Sequence, residues 1–141
     1  MRFFQKLDVI SHDESNDTLL LTCSDSPDRQ PALWFGREGM YVSVSANYGP
    51  LEIALRPRQR DLVTSLVQLR PTERLSVMRM VGTGQAHIEL GLSVDGDLLF
   101  RTTIVADATG HFAMNMIMTP AVRERFFEWL EVENPALAVA S

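Results

Sequence analysis

Six arginines, Arg56, Arg58, Arg60, Arg70, Arg74 and Arg79, fall within one short stretch that holds only Asp61 and Glu73 as acids. The whole chain has one lysine, Lys6, so its basic charge is almost all guanidinium. A guanidinium presents a planar fork that matches phosphate or carboxylate and stacks on flat rings, which suits a shaped contact better than diffuse attraction. The competing reading is a solvated helix flank whose arginines pair with nearby acids. A helix over 58–69 holds its ends about 18 Å apart, at about 1.5 Å per residue. The cluster therefore divides into two patches: Arg56, Arg58 and Arg60 at the helix start, and Arg70, Arg74 and Arg79 beyond its end.

Catalysis needs groups that converge, and the remaining candidates do not. His12-Asp13-Glu14 lies in a polar turn. His87 and Glu89 share a strand face, with no third ligand or nucleophile at a recognisable spacing. His111, at a strand entrance, is no better placed. Gly82-Thr83-Gly84 lacks the surroundings of a P-loop or a dinucleotide fingerprint and reads as a turn. Cys23 is the single cysteine, set in the apolar run from Leu19, and reads as a small buried hydrophobe. No catalytic residue, metal or cofactor is expected, and the chain reads as a non-enzymatic binding protein.

A pattern of strand, proline and helix occurs twice, at an offset of 63 residues. Leu51, Ile53 and Leu55 fall on Met114, Met116 and Met118, and Pro57 falls on Pro120. Val63, Leu66 and Val67 fall on Phe126, Trp129 and Leu130, the inward positions of an amphipathic helix. A duplicated unit that cannot bury its own apolar face implies halves that cover one another. The expected fold is a single α+β domain over 1–141, built of antiparallel strand-rich units, about ββββα twice. The repeats run near 7–70 and 71–133, with a loose tail at 134–141. At 141 residues, 45% hydrophobic and 22% charged, with a net charge of −5, the chain is long enough for one core. Asp8, Asp13 and Glu14 interrupt any signal-peptide core and nothing spans a membrane, so a cytoplasmic protein is expected.

Residues 1–17 suit a first strand, with a short helix as the alternative, and strands are expected at 18–23, 32–36, 39–46 and 51–55, those at 32–36 and 39–46 joined around Arg37-Glu38. Pro57 starts the first helix, which ends before Pro71. In the second half Leu75, Val77 and Met80 mark a candidate strand, and Ile88, Leu90 and Leu92 alternate with His87, Glu89 and Gly91. Asp95-Gly96 is a strong hairpin signal, because Asp and Gly accept the positive φ of a tight turn. Residues 98–106 return and 111–118 carry the three methionines on one face, read as core beneath a helix, with an interface as the alternative. Thr119 is placed to cap the last helix and Pro120 to open it.

Hairpins leading through a proline into one amphipathic helix resemble the single-stranded-nucleic-acid-binding fold of the positive-cofactor transcriptional coactivators and the Whirly proteins. The resemblance is one of element order, carried by 86–94, Asp95-Gly96, 98–106 and 111–132, with a weaker echo at 39–69. It implies a regulatory protein that holds a single strand on a curved sheet, by stacking bases and neutralising phosphates. Trp34, Tyr41, Tyr48, Phe100 and Arg101 would then join the arginines, and only Arg70, Arg74 and Arg79 would reach the strand aromatics. The small acidic chain is also similar to the type III secretion chaperones, through the run from Gly82 to Gly91, Asp95-Gly96 and Leu98 to Arg101. That resemblance implies a dimer holding an extended protein partner in an apolar groove. Under either one a homo-oligomer is expected, since exposed sheet edges invite pairing.

Overall fold

The computed structural model describes residues 4–25 and 31–138. The chain opens on β1 (Gln5–Leu7) and then runs through β2 (Val9–Asp13), β3 (Thr18–Thr22), β4 (Ala32–Glu38), β5 (Tyr41–Tyr48) and β6 (Leu51–Leu55). Strands β2 to β6 form a five-stranded antiparallel meander in chain order. Alternation decides its two faces. Leu19, Leu21, Leu33, Phe35, Val42 and Val44 are buried, while Trp34, Ser43 and Ser45 take the opposite side. Helix α1 (Gln59–Val67) follows.

The second sheet uses β7 (Pro71–Thr72), β8 (Arg79–Gly82), β9 (Ala86–Ser93), β10 (Leu98–Asp107) and β11 (Gly110–Met118), before α2 (Pro120–Leu130) and the short α3 (Pro135–Ala138). β9, β10 and β11 are an antiparallel meander; β7 and β8 both pair with β9, and β1 returns to pair in parallel with β11 at Met116, Ile117 and Met118. Phe35 of the first sheet meets Phe100 of the second at 5.3 Å between ring centroids, and Phe126 of α2 lies 4.5 Å from Phe35. All three are fully buried, so the two sheets and α2 share one core. Burying each ring contributes roughly 1.5–3 kcal/mol. Met114, Met116 and Met118 are buried in that core.

Several expectations are corrected in detail. The β4–β5 turn is Gly39-Met40, not Arg37-Glu38: Gly39 takes φ 62, a conformation free of penalty only without a Cβ, and Glu38 stays paired with Tyr41. Leu75 and Val77 precede β8 instead of lying in it. The Ser76 carbonyl crosses the face of β9 at Gly91, where a Cβ would meet that oxygen at 2.0 Å. Thr119 holds an extended conformation before α2 but makes no side-chain cap. Its N–H donates instead to the Leu7 carbonyl at 3.2 Å.

Each meander leads into a helix, yet the helices do not bury equivalent positions at the expected offset. α1 buries Leu62 and Leu66, whereas α2 buries Val122, Arg123, Phe126, Phe127 and Leu130 and leaves Trp129, the offset partner of Leu66, half-buried. The stretch from 134, expected as a loose tail, is tied down as far as Ala138. Buried Asn134 donates through Nδ2 to the carbonyls of Leu66 at 2.8 Å and Leu69 at 3.0 Å, closing the end of α1, and its Oδ1 accepts from the Ala136 N–H. Positions 139–141 lie outside the described residues.

Candidate functional site

The hairpin register of the second sheet sets Arg101 on β10 directly between Glu89 on β9 and Asn115 on β11. All three project from the face opposite the core. Arg101 Nη1 donates to Glu89 Oε1 at 2.9 Å, and its Nε donates to Asn115 Oδ1 at 2.6 Å. The arginine is only 5% exposed, so the charge is taken out of water and held by the pair. Thr103 also points at Glu89, at 3.5 Å. Burial alone would raise the Glu89 carboxyl; the hydrogen bond and charge of Arg101, with help from His87, outweigh it and hold it below its ordinary value. His87 is buried too. Its Nδ1 donates to the Thr83 carbonyl at 2.9 Å, which turns Nε2 toward Glu89 Oε2, 3.4 Å away.

These residues floor an open cavity of about 520 Å³, rimmed by Met80, Asp107, Thr109 and His111. Ala113 and Asn115 of β11 line it on one side and a second cleft on the other. That second cleft, of about 320 Å³, lies between β11 and β6 and is lined by Gln5, Pro31, Tyr48, Leu51, Phe112, Met114 and Met116 as well. None of its lining residues is charged. Tyr48, Leu51 and Phe112 are 51%, 50% and 44% exposed, a concentration of apolar surface at a sheet edge. β1 pairs only with the last part of β11. Among the described residues, no strand pairs with the outer edge of β11 from Gly110 to Asn115. Natural sheets commonly guard such an edge with a charge or a proline, and this one has neither.

The residues anticipated for nucleic acid are spread over the molecule. Arg56 pairs with Glu38 at 3.3 Å and lies over the Tyr41 ring, 5.1 Å from its centroid. Arg58 and Arg60 border a separate concavity with Met40 and Leu130. Arg70 is turned onto the carbonyls of Val67 and Leu69, and Arg79 onto the side chain of Gln68, both at the end of α1. Arg74 is exposed in the connection to β8. Trp34, Tyr41 and Tyr48 all belong to the five-stranded sheet, and no cation–π contact among the described residues joins them to Arg70, Arg74 or Arg79. Arg101 is enclosed in its ion pair, and Phe100 is in the core.

Sequence reasoning passed over Asn115, Thr103 and Phe112. Counting out from the turns would not have found Asn115: a two-residue Asp95-Gly96 turn and an unbulged hairpin closed at Asp107 and Gly110 set Leu90 and Met116 opposite Arg101, whereas Ser93 pairs with Asp97 across three residues and a bulge between Val105 and Asp107 shifts the other strand by one. Among the described residues no three His, Cys, Asp or Glu side chains gather as a metal-ligand set, and no helix is long and apolar enough to cross a membrane. Compared with protein-family models, curated proteins and solved structures, the chain matches none.

Proposed function

We propose that the chain is a non-enzymatic binding protein that takes an extended segment of a protein partner along the outer edge of β11. The observation that carries this is the coincidence of a strand edge at Gly110–Asn115, unpaired among the described residues, with an uncharged apolar cleft beside it. An added strand would use the β11 backbone for affinity and place alternate side chains on its two sides, apolar ones against Tyr48, Leu51 and Phe112. This agrees with the chaperone-like resemblance in mode of binding, although the described chain opens on strands and not on a helix. Single-stranded nucleic acid ranks second. What favours it is the stacking of Arg56 on Tyr41, on the sheet face that also carries Trp34; the neighbouring Glu38 and Glu52 oppose it. The two meander-and-helix runs are also proposed to be copies of one ancestral unit, with Leu62 and Leu66 answering to Phe126 and Leu130.

Fluorescent strand peptides of alternating apolar and polar residues, about six residues long, test the main reading. Anisotropy titrations should show binding that changes little with salt and is lost in Phe112→Asp, while an oligothymidylate of matched label stays free. Oligonucleotide retention that weakens steeply with salt, together with silent peptides, would reverse the ranking.

A further inference from the structure

The polar cavity faces the same stretch of β11 from the other side, and its hydrogen-bonding groups are unevenly committed. Glu89 is ionised and accepts only; Oε1 takes Arg101 and faces Thr103, and Oε2 is turned to His87. Because Arg101 Nε must donate, the Asn115 amide has Oδ1 toward it, which turns Nδ2 and its two N–H groups away. The Nη2 group of Arg101 points the same way as Nε, toward the open edge. Among the described residues neither Arg101 Nη2 nor Asn115 Nδ2 has a partner. Around Arg101 and Asn115 the cavity thus offers free donors, while Glu89 Oε1 is already engaged. Charge narrows the choice of guest. Arg101 and Glu89 cancel, Asp107 adds a negative charge at the rim, and the chain carries −5 overall, so an acid is repelled where a neutral acceptor is not.

We propose that this cavity selects a glutamine in the docked strand, its side-chain carbonyl accepting from Arg101 Nη2 and Asn115 Nδ2. The proposal rests on the strand-docking function just proposed and names its partner chemistry. A strand on the β11 edge lies about 4.8 Å from it, and its side chains alternate between the two faces, so apolar residues toward Phe112 place the intervening ones toward Asn115. Glutamine spans about one strand spacing, enough to bring its carbonyl beside Arg101 and Asn115.

The test uses capped strand peptides with leucine at alternate positions and glutamine, glutamate or serine at all others, titrated against the full chain by anisotropy. The glutamine peptide is expected to bind about tenfold more tightly than the serine peptide, the equivalent of one well-made hydrogen bond. Asn115→Asp preserves the acceptor for Arg101 Nε but removes the Nδ2 donors, so the fold stands and the glutamine preference should disappear. Equal affinity for all three peptides, a preference for glutamate, or a glutamine preference unaffected by N115D would each overturn the carboxamide assignment while leaving strand docking intact. If none of the three binds, strand docking itself fails, and this assignment with it.

Discussion

The indole N–H of Trp129, near the end of α2, donates to Oδ1 of Asp17 in the β2–β3 turn at 2.8 Å. The same carboxylate accepts from His12 Nε2 at 3.0 Å and, through Oδ2, from Arg37 Nε at 2.7 Å. Arg37 closes the circuit, donating to the Trp129 carbonyl and lying 4.2 Å from the centroid of its ring. One acidic side chain on a turn therefore fastens the last long helix to the first sheet. His12, grouped by sequence with Asp13 and Glu14, instead serves Asp17.

That circuit predicts an acid-dependent contribution to stability. The hydrogen bonds from His12 and Trp129, with Arg37 behind them, lower the Asp17 pKa from 3.8 to about 2. A folded pKa below the unfolded one means that the carboxylate form favours the folded state; the contribution is complete above 3.8 and lost as pH falls through about 2. Asp17→Asn keeps the residue type tolerated at φ 50 and removes the charge. It should lower Tm at neutral pH, and the gap from the unaltered chain should close across that acid window. A gap that stays constant with pH would show that Asp17 acts by shape alone.

Arg101 and Glu89 should be worth more as a pair than apart. Arg101→Leu leaves an ionised, largely buried Glu89 without its cation and is expected to cost about 3 kcal/mol in urea unfolding. Replacing both by leucine should recover most of that loss, because neither charge then needs solvation. A double variant as unstable as the sum of the two singles would mean that the pair is not coupled.

Gly91→Ala probes the segment that crosses the outer face of β9. A methyl group there would stand 2.0 Å from the Ser76 oxygen, so backbone must move, at a cost of about 1–3 kcal/mol. Amide exchange should quicken most in 73–78, with the core strands protected as before.

Asn134→Ala removes the amide that satisfies the carbonyls of Leu66 and Leu69. Each carbonyl keeps one other donor, the Leu69 N–H for Leu66 and Arg70 Nη1 for Leu69, so losing the amide should cost about 1 kcal/mol in chemical denaturation. No loss of stability would mean that this stretch is as loose as its composition suggests.

Local signals accounted for much of the fold. Alternation marked β6, β9 and β11, an apolar run marked β3 and a hairpin return marked β10, each to within a residue or so of its ends, and Pro57 and Pro120 announced both long helices. The failures have a common cause in contacts distant along the chain. Three residues, Gln5 to Leu7, carry no pattern that could reveal pairing with β11, and nothing in Leu75 or Val77 discloses that the Ser76 carbonyl occupies the space above Gly91. Arg101 was grouped with the surface arginines because arginine is rarely enclosed; only the hairpin register shows the acid across from it. Phe112 reads as one more apolar residue of an alternating strand, and nothing local discloses that it is exposed.

β1 is made first, yet its partner strand is made nearly last. Peptide bonds form at about 5–20 residues per second, so the interval between the two is on the order of ten seconds, during which Leu7 lacks the cover of β11. The five-stranded meander can close as it leaves the ribosome, whereas the six-stranded sheet must recruit a strand already waiting at the opposite end of the chain. Synthesis order thus makes the N-terminal strand the closing stitch of the molecule. A nascent chain stalled before β11 would carry a strand without its partner, with Leu7 free to be captured by a neighbour on the same polysome.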